Sequence, residues 1–414
     1  MNKLKKVDGS VCAAKGFMAS GIACGFKKVK KDIALIYSNT PCTFAGVFTQ
    51  NTVAAAPVVY DREIVKSSKY VNAIIVNSGN ANAATGEQGL KDCEETSLYT
   101  AKALSKLNDE ISYDNILVCS TGVIGVPLNM ETMKKGIDMS IPCLEHSNQA
   151  ADDASTAILT TDKTKKEIAY SFEIDGTTVH IGGIAKGSGM IHPNMATMLS
   201  FITTDANIDK ATLQKLLGSS IKESYNMISV DGDTSTNDTV LVLANGESNC
   251  KKIVEGSEEY KIFKSVFDTV HTYLAKEIVK DGEGAGTFIE MVVDGAITKE
   301  DAKKLARSVI KSSLVKAAFF GADANFGRIL CAMGYSGAKF NLETLDLSFS
   351  SKKGSIKVIS KGCPLEIDEP LAKEILLEKE VFVLAQLDDG LASATAWGCD
   401  LSYEYVRING DYRS

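Results

Sequence analysis

The stretch Lys186–Thr197, Lys-Gly-Ser-Gly-Met-Ile-His-Pro-Asn-Met-Ala-Thr, places a threonine behind a small residue and downstream of a glycine-rich turn. A threonine hydroxyl is a weak nucleophile unless a base lies beside it. Cleavage just before Thr197 would free its α-amine, which titrates near pH ~8 and can accept the hydroxyl proton. The stretch therefore predicts self-cleavage between Ala196 and Thr197, with Thr197 as a covalent catalyst. A glycine turn that simply leads into a strand would give the same pattern.

A second stretch could stabilise negative charge on a reacting carbonyl oxygen. Cys119–Gly125, Cys-Ser-Thr-Gly-Val-Ile-Gly, follows the strand-like run Asn115–Val118. Its Thr-Gly step can present the hydroxyl of Thr121 and the backbone N–H of Gly122 to an oxyanion. Each well-placed donor of this kind contributes about 3 kcal/mol to transition-state stabilisation. A turn that only closes a strand is the structural alternative.

A third stretch, Gly282–Thr287, places the carboxylate of Glu283 between glycines. Phosphate-binding loops exclude a carboxylate at such a position, so a nucleotide loop is not expected. A carboxylate there suits an ammonium group, such as the α-amine of an amino acid. A solvated turn would have the same sequence pattern. The polar tail Arg407–Ser414 is a candidate flap over a site.

Metal binding is not expected. The loop Asp231–Asp238 resembles a calcium loop, but it lacks the glycine at the sixth position and has Val242 where the twelfth needs glutamate. The four histidines show no metal spacing, and the ten cysteines contain no Cys-x-x-Cys pair. The cysteines are therefore predicted to be reduced, buried thiols.

Composition limits the partners of the chain. Its 414 residues include 45 Lys and Arg against 52 Asp and Glu, giving a net charge of −7. Non-specific nucleic-acid binding requires a basic face, so nucleic acid is not expected. Apolar runs such as Val381–Ala385 are too short to span a membrane. The basic N-terminus lacks the apolar core of a signal peptide, which predicts a cytoplasmic location.

Strand-like and helical segments alternate along the chain, which predicts an α/β or α+β fold. The predicted strands are Asp32–Tyr37, Val71–Val76, Thr239–Ala244 and Phe288–Val293. The predicted helices are Leu90–Leu107, Ile208–Tyr225 and Lys299–Leu314. The glycine cluster Gly282–Gly286 predicts a catalytic domain at 1–286 and a smaller α/β domain at 287–414, ending in a polar tail at 404–414.

Seven motifs in order, together with the tail, resemble the ornithine acetyltransferase family, the glutamate N-acetyltransferases of arginine biosynthesis. The motifs are Asn77–Asn82, Ser120–Gly125, Thr160–Asp162, Lys186–Met190 with Met195–Leu199, Val230–Asp238, Gly321–Asn325 and Ala394–Asp400. The resemblance covers essentially the whole chain. It implies a fold related to the self-processing aminopeptidases and an assembly of two α and two β chains.

The resemblance also implies the reaction. The α chain would comprise residues 1–196 and the β chain would begin at Thr197. Thr197 would take the acetyl group of N-acetylornithine and pass it to glutamate by a ping-pong route that needs no cofactor. Family members that also use acetyl-CoA share these motifs with members that do not, so its use as a co-substrate stays open.

The family's functional positions map onto individual residues of this chain. Thr121 and Gly122 match its oxyanion-hole pair. The matching substrate-binding positions are Thr160 or Thr161, Lys186, Thr197, Glu283, Asn409 and Ser414. Lys186 would hold a substrate carboxylate and Glu283 an ammonium. Two residues depart from the family pattern, since His192 stands where alanine is expected and Ser414 replaces a frequent terminal threonine.

Two other functions remain open from the sequence. In a related self-processing amidase or aminopeptidase, water would take the acyl group. In a non-catalytic protein, the chain would stay intact and only bind amino acids.

Overall fold

The computed structural model describes residues 4–107, 110–192 and 198–411. Ala196, Thr197 and Ser414 lie outside the described residues. The strands are β1 (Lys5–Lys6), β2 (Phe17–Ile22), β3 (Ile33–Phe48), β4 (Val71–Asn80), β5 (Ile116–Val123), β6 (Lys166–Ile174), β7 (Thr177–Lys186), β8 (Leu199–Thr204), β9 (Ile228–Ser229), β10 (Thr239–Ala244), β11 (Phe288–Ala296), β12 (Asp346–Ser351), β13 (Gly354–Ser360), β14 (Cys363–Pro364), β15 (Glu380–Gln386) and β16 (Ala392–Cys399).

Helices lie between many of these strands. The α-helices are α1 (Ala56–Ser67), α2 (Gly86–Leu104), α3 (Met130–Ser140), α4 (Asn148–Ala157), α5 (Lys210–Ile221), α6 (Glu258–Lys280), α7 (Lys299–Lys311), α8 (Ser313–Phe320), α9 (Phe326–Gly334), α10 (Glu369–Leu376) and α11 (Tyr403–Asp411). Short 3₁₀ turns are Ser10–Cys12, Tyr113–Asn115, Ile141–Cys143, Tyr225–Met227 and Leu342–Thr344.

The first sheet, within the described residues, has nine strands in the order β1-β6-β7-β8-β10-β3-β4-β5, and β2 also pairs with β3. Strands β8 and β10 follow the predicted cleavage site in sequence, yet they lie between β7 and β3, which precede it. β8 pairs antiparallel with β7 and parallel with β10. The two predicted chains therefore share one continuous sheet.

The second sheet has seven strands in the described part of the chain, in the order β14-β13-β12-β15-β11-β16-β9. Helix α6 packs against β6 and β7 of the first sheet and against β16 and β9 of the second. Its apolar face, which includes Phe263, Phe267 and Leu274, is fully buried. The predicted α/β class is therefore confirmed, with helices covering two mixed sheets.

The predicted elements agree with the structure in type and differ at their ends. All four predicted strands are present, and all three helices begin within a few residues of prediction. Helix α5 starts after Asp209, whose carboxylate caps the backbone N–H of Thr212. The helix predicted to run through Leu314 ends at Lys311, because Ser312 adopts an extended backbone and caps α8 instead.

The domain boundary near residue 286 stays a prediction. Strand β9 lies before that boundary in sequence but pairs with β16 in the second sheet. In the described part of the chain, no helix is both long and apolar enough to cross a membrane.

The prediction for the cysteines was correct in part. All ten are free, and seven are buried. Cys143, Cys331 and Cys363 are exposed, contrary to the prediction. They lie in a 3₁₀ turn, in helix α9 and in the short strand β14, where small or apolar neighbours in sequence do not ensure burial.

Candidate functional site

The predicted scissile bond lies in the connection between two neighbouring strands. Strand β7 ends at Lys186 and β8 begins at Leu199, and these two residues face each other across the antiparallel pair. Directly opposed residues in such a pair have Cα atoms about 5 Å apart. The connection therefore begins and finishes at the same end of this strand pair. Ala196 and Thr197 belong to its undescribed segment, 193–197.

The glycine turn at the start of this connection is held by two other segments, which contain Thr161 with Asp162 and Glu283. Asp162 accepts a hydrogen bond from the backbone N–H of Gly187 at 2.6 Å. The hydroxyls of Thr161 and Ser188 lie 2.7 Å apart. The backbone N–H of Glu283 donates to the carbonyl of Ser188 at 2.8 Å. Distant parts of the chain thus fix the approach to the predicted cleavage site.

The carboxylate of Asp231 holds the next residues of the turn. It accepts hydrogen bonds from the backbone N–H groups of Met190 and Ile191 at 2.5 and 2.8 Å. The hydroxyl of Tyr405 donates to the same carboxylate at 3.2 Å. Burial raises the pKa of Asp231, although the backbone donors oppose that shift. The loop that resembled a calcium site therefore directs its first carboxylate to the backbone of the turn.

The predicted oxyanion pair lies at the end of strand β5, beside the end of β4. Gly122 has φ of +136°, and a Cβ there would lie 2.4 Å from the carbonyl carbon of Gly79. Only glycine satisfies both conditions. The side-chain amide of Asn237 donates to the carbonyl of Ser120 at 2.8 Å, which fixes the strand just before Thr121.

Lys186 connects this pair to the glycine turn. Its side chain is buried, and its ammonium donates to the hydroxyl oxygen of Thr121 at 3.3 Å. Burial lowers the pKa of Lys186, and the carboxylates of Asp162 and Glu283 oppose that shift. Because the Thr121 oxygen accepts from Lys186, the hydroxyl proton of Thr121 remains available to a further acceptor.

A buried ion cluster lies beside Lys186 and includes Asp162, Lys166 and Asp281. The ammonium of Lys166 lies 2.7 Å from a carboxylate oxygen of Asp162 and 2.5 Å from one of Asp281. Burial alone would raise the pKa of Asp162, but Lys186 and Lys166 hold it well below its usual range. Asp162 is therefore an anion shared by two buried ammonium groups.

These groups line one cavity of about 180 Å³. Its lining residues are Thr121, Gly122, Ile124, Thr160, Thr161, Lys186, Gly189, Met190, Ser235, Asn237, Glu283 and Asn409. Every predicted site residue in the described part of the chain is among them. Both Thr160 and Thr161 reach the cavity, so the choice between them stays open.

The opposite wall of the cavity carries Glu283. A Cβ on Gly189 would lie 2.3 Å from one oxygen of this carboxylate. The absence of a side chain at Gly189 therefore leaves space for Glu283. Asn409 of helix α11 donates to Glu283 at 2.8 Å. The described part of the tail predicted as a flap, through residue 411, is thus helical and has one residue in the cavity wall. Ser414 lies outside the described residues.

Sequence reasoning missed two kinds of residue. Ser235 and Asn237 line the cavity, and the signals that could have found them were the density of polar residues in Asp231–Asp238 and its place among the family motifs. Lys166 and Asp281 form the buried ion cluster, and no motif marked them. Among the described residues, no group of three or more His, Cys, Asp and Glu side chains could hold a metal ion.

Comparisons with known proteins point in one direction. The profile of the ArgJ family matches residues 18–414. The "Arginine biosynthesis bifunctional protein ArgJ" of Caldanaerobacter subterraneus subsp. tengcongensis is 50% identical over 408 residues, covering 99% of this chain and 99% of that protein. The protein of the same name from Symbiobacterium thermophilum is 50% identical over 409 residues, covering 98% and 99%.

A solved structure is similar as well. It is the crystal structure of the arginine biosynthesis bifunctional protein ArgJ from Bacillus halodurans, with 43% sequence identity and a TM-score of 0.50. The match covers 52% of this chain and 100% of that chain.

Proposed function

The chain belongs to the ArgJ family, and on that premise we propose that it is a glutamate N-acetyltransferase of arginine biosynthesis that uses N-acetylornithine as acetyl donor. The observation that carries the proposal is a single cavity, the active-site cavity, lined by Thr121 and Gly122, which we propose as the oxyanion pair, and by two opposite charges, Lys186 and Glu283. The relatives' name, arginine biosynthesis bifunctional protein, supports the same pathway.

The proposed enzyme first cuts its own chain. The hydroxyl of Thr197 attacks the carbonyl of Ala196, and the acyl group moves from nitrogen to oxygen. This shift breaks the peptide C–N bond and frees the α-amine of Thr197. Water then hydrolyses the ester, which releases the carboxylate of Ala196 and restores the hydroxyl of Thr197. The fixed turn supports this step. The backbone N–H groups of Gly187 and Met190 donate to Asp162 and Asp231, which restricts the conformation of the chain that leads to the scissile bond.

Acetyl transfer reuses the same hydroxyl. Its oxygen attacks the acetyl carbonyl of N-acetylornithine while the α-amine of Thr197 takes the proton. The oxyanion accepts hydrogen bonds from Thr121 and Gly122, the C–N bond breaks, and ornithine leaves with a proton on its amine. The amine of glutamate then attacks the acetyl-threonine ester, the ester C–O bond breaks, and the Thr197 oxygen regains a proton as N-acetylglutamate leaves.

The charges of the cavity suit both substrates. N-Acetylornithine and glutamate each carry an α-carboxylate, for which Lys186 is the buried cation. Glu283 provides a carboxylate for the side-chain ammonium of N-acetylornithine. Helix α11 covers this wall through Asn409, which limits access of water to the ester.

Two finer features belong to the same proposal. We infer acetyl-CoA as a second donor, since the relatives are named bifunctional. The assembly is two α and two β chains. The shared sheet supports α–β association, because β8 of the β chain pairs with β7 of the α chain.

One experiment tests the central activity. The purified enzyme is incubated with N-acetylornithine carrying a labelled acetyl group, together with glutamate. We expect labelled N-acetylglutamate and one equivalent of ornithine. Labelled acetate without N-acetylglutamate would identify an amidase instead, and absence of any product would leave only amino-acid binding. The Thr197→Ala variant is the matched control and is expected to form neither product.

A further inference from the structure

A second and larger cavity lies outside the proposed active site. Its volume is about 450 Å³, within the range of small-molecule sites. Its charged lining residues are Lys222, Lys303, Lys304, Arg307 and Lys311 against one carboxylate, Glu300. We call it the basic cavity. Five cations facing one anion is unexpected in a chain whose net charge is −7.

Helix α7 supplies most of this positive charge. Lys304, Arg307 and Lys311 follow helical spacing and share one face. The other face buries Leu305 and Val309 in the core. Since like charges at this spacing destabilise a helix, the pattern has a cost that local structure does not explain.

The lysines of the basic cavity are only partly neutralised. Lys303 pairs with Glu223 at 2.5 Å. Across 4–107, 110–192 and 198–411, no carboxylate lies within 4.0 Å of the ammonium of Lys222, Lys304 or Lys311. The cavity thus keeps a concentrated positive potential, which attracts multiply charged anions.

The basic cavity adjoins the connection that carries the nucleophile. His192 lines it, whereas Met190 lines the active-site cavity. These residues are two positions apart, so their Cα atoms are at most about 7 Å apart. Burial and the charges of Arg307 and Lys311 lower the pKa of His192 to about 4. The imidazole is therefore neutral near pH 7, and the positive charge belongs to the lysines and arginine.

We propose that the basic cavity binds the phosphate groups of the nucleotide portion of acetyl-CoA. This inference rests on the proposed use of acetyl-CoA as second donor. The nucleotide carries a 3′-phosphate and a diphosphate, and its several negative charges match several cations. N-Acetylornithine has no phosphate and does not need this cavity.

With the nucleotide held there, the thioester arm would extend to the active-site cavity, because His192 and Met190 bring the two cavities to neighbouring positions of the chain. The oxygen of Thr197 forms a bond to the acetyl carbon, and the C–S bond breaks. The sulfur leaves as a thiolate that takes up the proton lost by the hydroxyl. The enzyme is then in the same acetyl-threonine state that N-acetylornithine produces.

The test compares the two donors in one pair of variants. Lys304→Gln/Lys311→Gln removes two cations from the basic cavity. Lys91→Gln/Lys102→Gln removes two exposed cations from helix α2 and is the matched control. With glutamate as acceptor, we expect the KM for acetyl-CoA to rise at least about tenfold in the first variant alone, since charge-assisted bonds to phosphate are lost. The KM for N-acetylornithine should stay within about twofold of the wild-type value.

A direct probe completes the test. Adenosine 3′,5′-bisphosphate should compete with acetyl-CoA in the wild-type enzyme and much less in the Lys304→Gln/Lys311→Gln variant. An unchanged KM for acetyl-CoA in the Lys304→Gln/Lys311→Gln variant, or an equal rise in KM for both donors, would overturn the inference. Competition by inorganic phosphate as strong as that by adenosine 3′,5′-bisphosphate would also overturn it. A wild-type enzyme active with N-acetylornithine but inactive with acetyl-CoA would overturn it while leaving the main proposed function standing.

Discussion

Asn409 donates a hydrogen bond of 2.8 Å to Glu283, joining two residues 126 positions apart. The contact attaches helix α11 to the glycine loop, which carries the only acidic side chain among the described residues that line the active-site cavity. Ser402 reinforces it by donating to the carbonyl of Gly284 at 2.6 Å. A Cβ at Gly284 would lie 2.5 Å from the backbone nitrogen of Tyr405, so the helix sits directly on the loop. Helix α11 is therefore part of the wall of the proposed substrate site.

Replacing Glu283 by glutamine should weaken donor binding. The glutamine keeps an oxygen for Asn409 but lacks the charge that pairs with the substrate ammonium. We expect the KM for N-acetylornithine to rise about 10- to 150-fold, because hydrogen bonds to charged groups contribute about 1.5–3 kcal/mol. The control is Glu404→Gln, which removes an exposed carboxylate of α11 that pairs with Arg407. A similar rise in the control would show that α11, and not the charge of Glu283, controls binding.

Replacing Gly122 by alanine should damage the oxyanion site. The new Cβ would meet the backbone of Gly79 at 2.4 Å, in addition to the strain of φ at +136°. We expect kcat to fall at least about 100-fold, as for loss of an oxyanion donor. Gly125→Ala is the matched control, because Gly125 also has positive φ (+80°) but no described atom within 4 Å of its Cβ position. Steady-state kinetics of both variants should separate the clash from the strain, and equal losses would contradict this account.

Sequence motifs and the family resemblance identified residues that line the cavity, but not the residues that support them. Thr121 and Gly122 lie in a Thr-Gly step whose residue types suit an oxyanion, and Lys186 was assigned through the resemblance. Asp281 carried no such signal, since its role depends on contact with Lys166 from a distant strand. Buried charges are paired through the fold, and that pairing is not encoded at a fixed sequence spacing.

The order of the strands was equally hidden. Periodicity identified the strand Thr239–Ala244, but nothing local showed that it lies between β8 and β3. That placement depends on which apolar faces cover one another after long crossovers. The tail shows a related limit. Its polar composition suggested a flap, whereas in the structure this segment forms a helix that contacts Gly284 and Asp231, which are distant in sequence.

Cleavage at Ala196–Thr197 should give two fragments that stay together. A denaturing gel should show residues 1–196 and 197–414, and N-terminal sequencing of the second should begin Thr-Met-Leu. Gel filtration without denaturant should show a single species, because β8 lies within a sheet of α-chain strands. Thr197→Ala should remain one inactive chain, and Thr197→Ser, which keeps a hydroxyl, should still be cut. A fully active Thr197→Ala enzyme would overturn the mechanism.

Replacing Asp162 by asparagine should strongly destabilise the protein. The change leaves Lys166 and Lys186 without the carboxylate that both share, although Lys166 keeps Asp281. Breaking a buried ion pair typically costs about 3–5 kcal/mol. The control, Asp346→Asn, breaks a more exposed pair with Lys357 and should cost less than about 1 kcal/mol. Urea unfolding of both variants in the uncut Thr197→Ala chain would test this, and equal losses would refute it.

His271 should make stability depend on pH in the acid range. It is fully buried beside Phe267 and Tyr225, with ring centroids 4.3 and 5.6 Å away. Within the described residues neither ring nitrogen has a hydrogen-bond partner. Burial lowers the pKa of His271 from 6.5 to about 3 in the folded protein.

The sign of the effect follows from proton binding. Above pH 6.5 the ring is neutral in both states, so its contribution to stability is complete. Between pH 6.5 and 3 the unfolded chain takes up a proton that the folded protein refuses. The free energy of unfolding should therefore fall by about 1 kcal/mol per pH unit in this window. His271→Phe in the uncut Thr197→Ala chain should remove that part of the slope. The difference between the two proteins at about pH 8 reports packing alone, and identical slopes below pH 6.5 would exclude His271 as the cause.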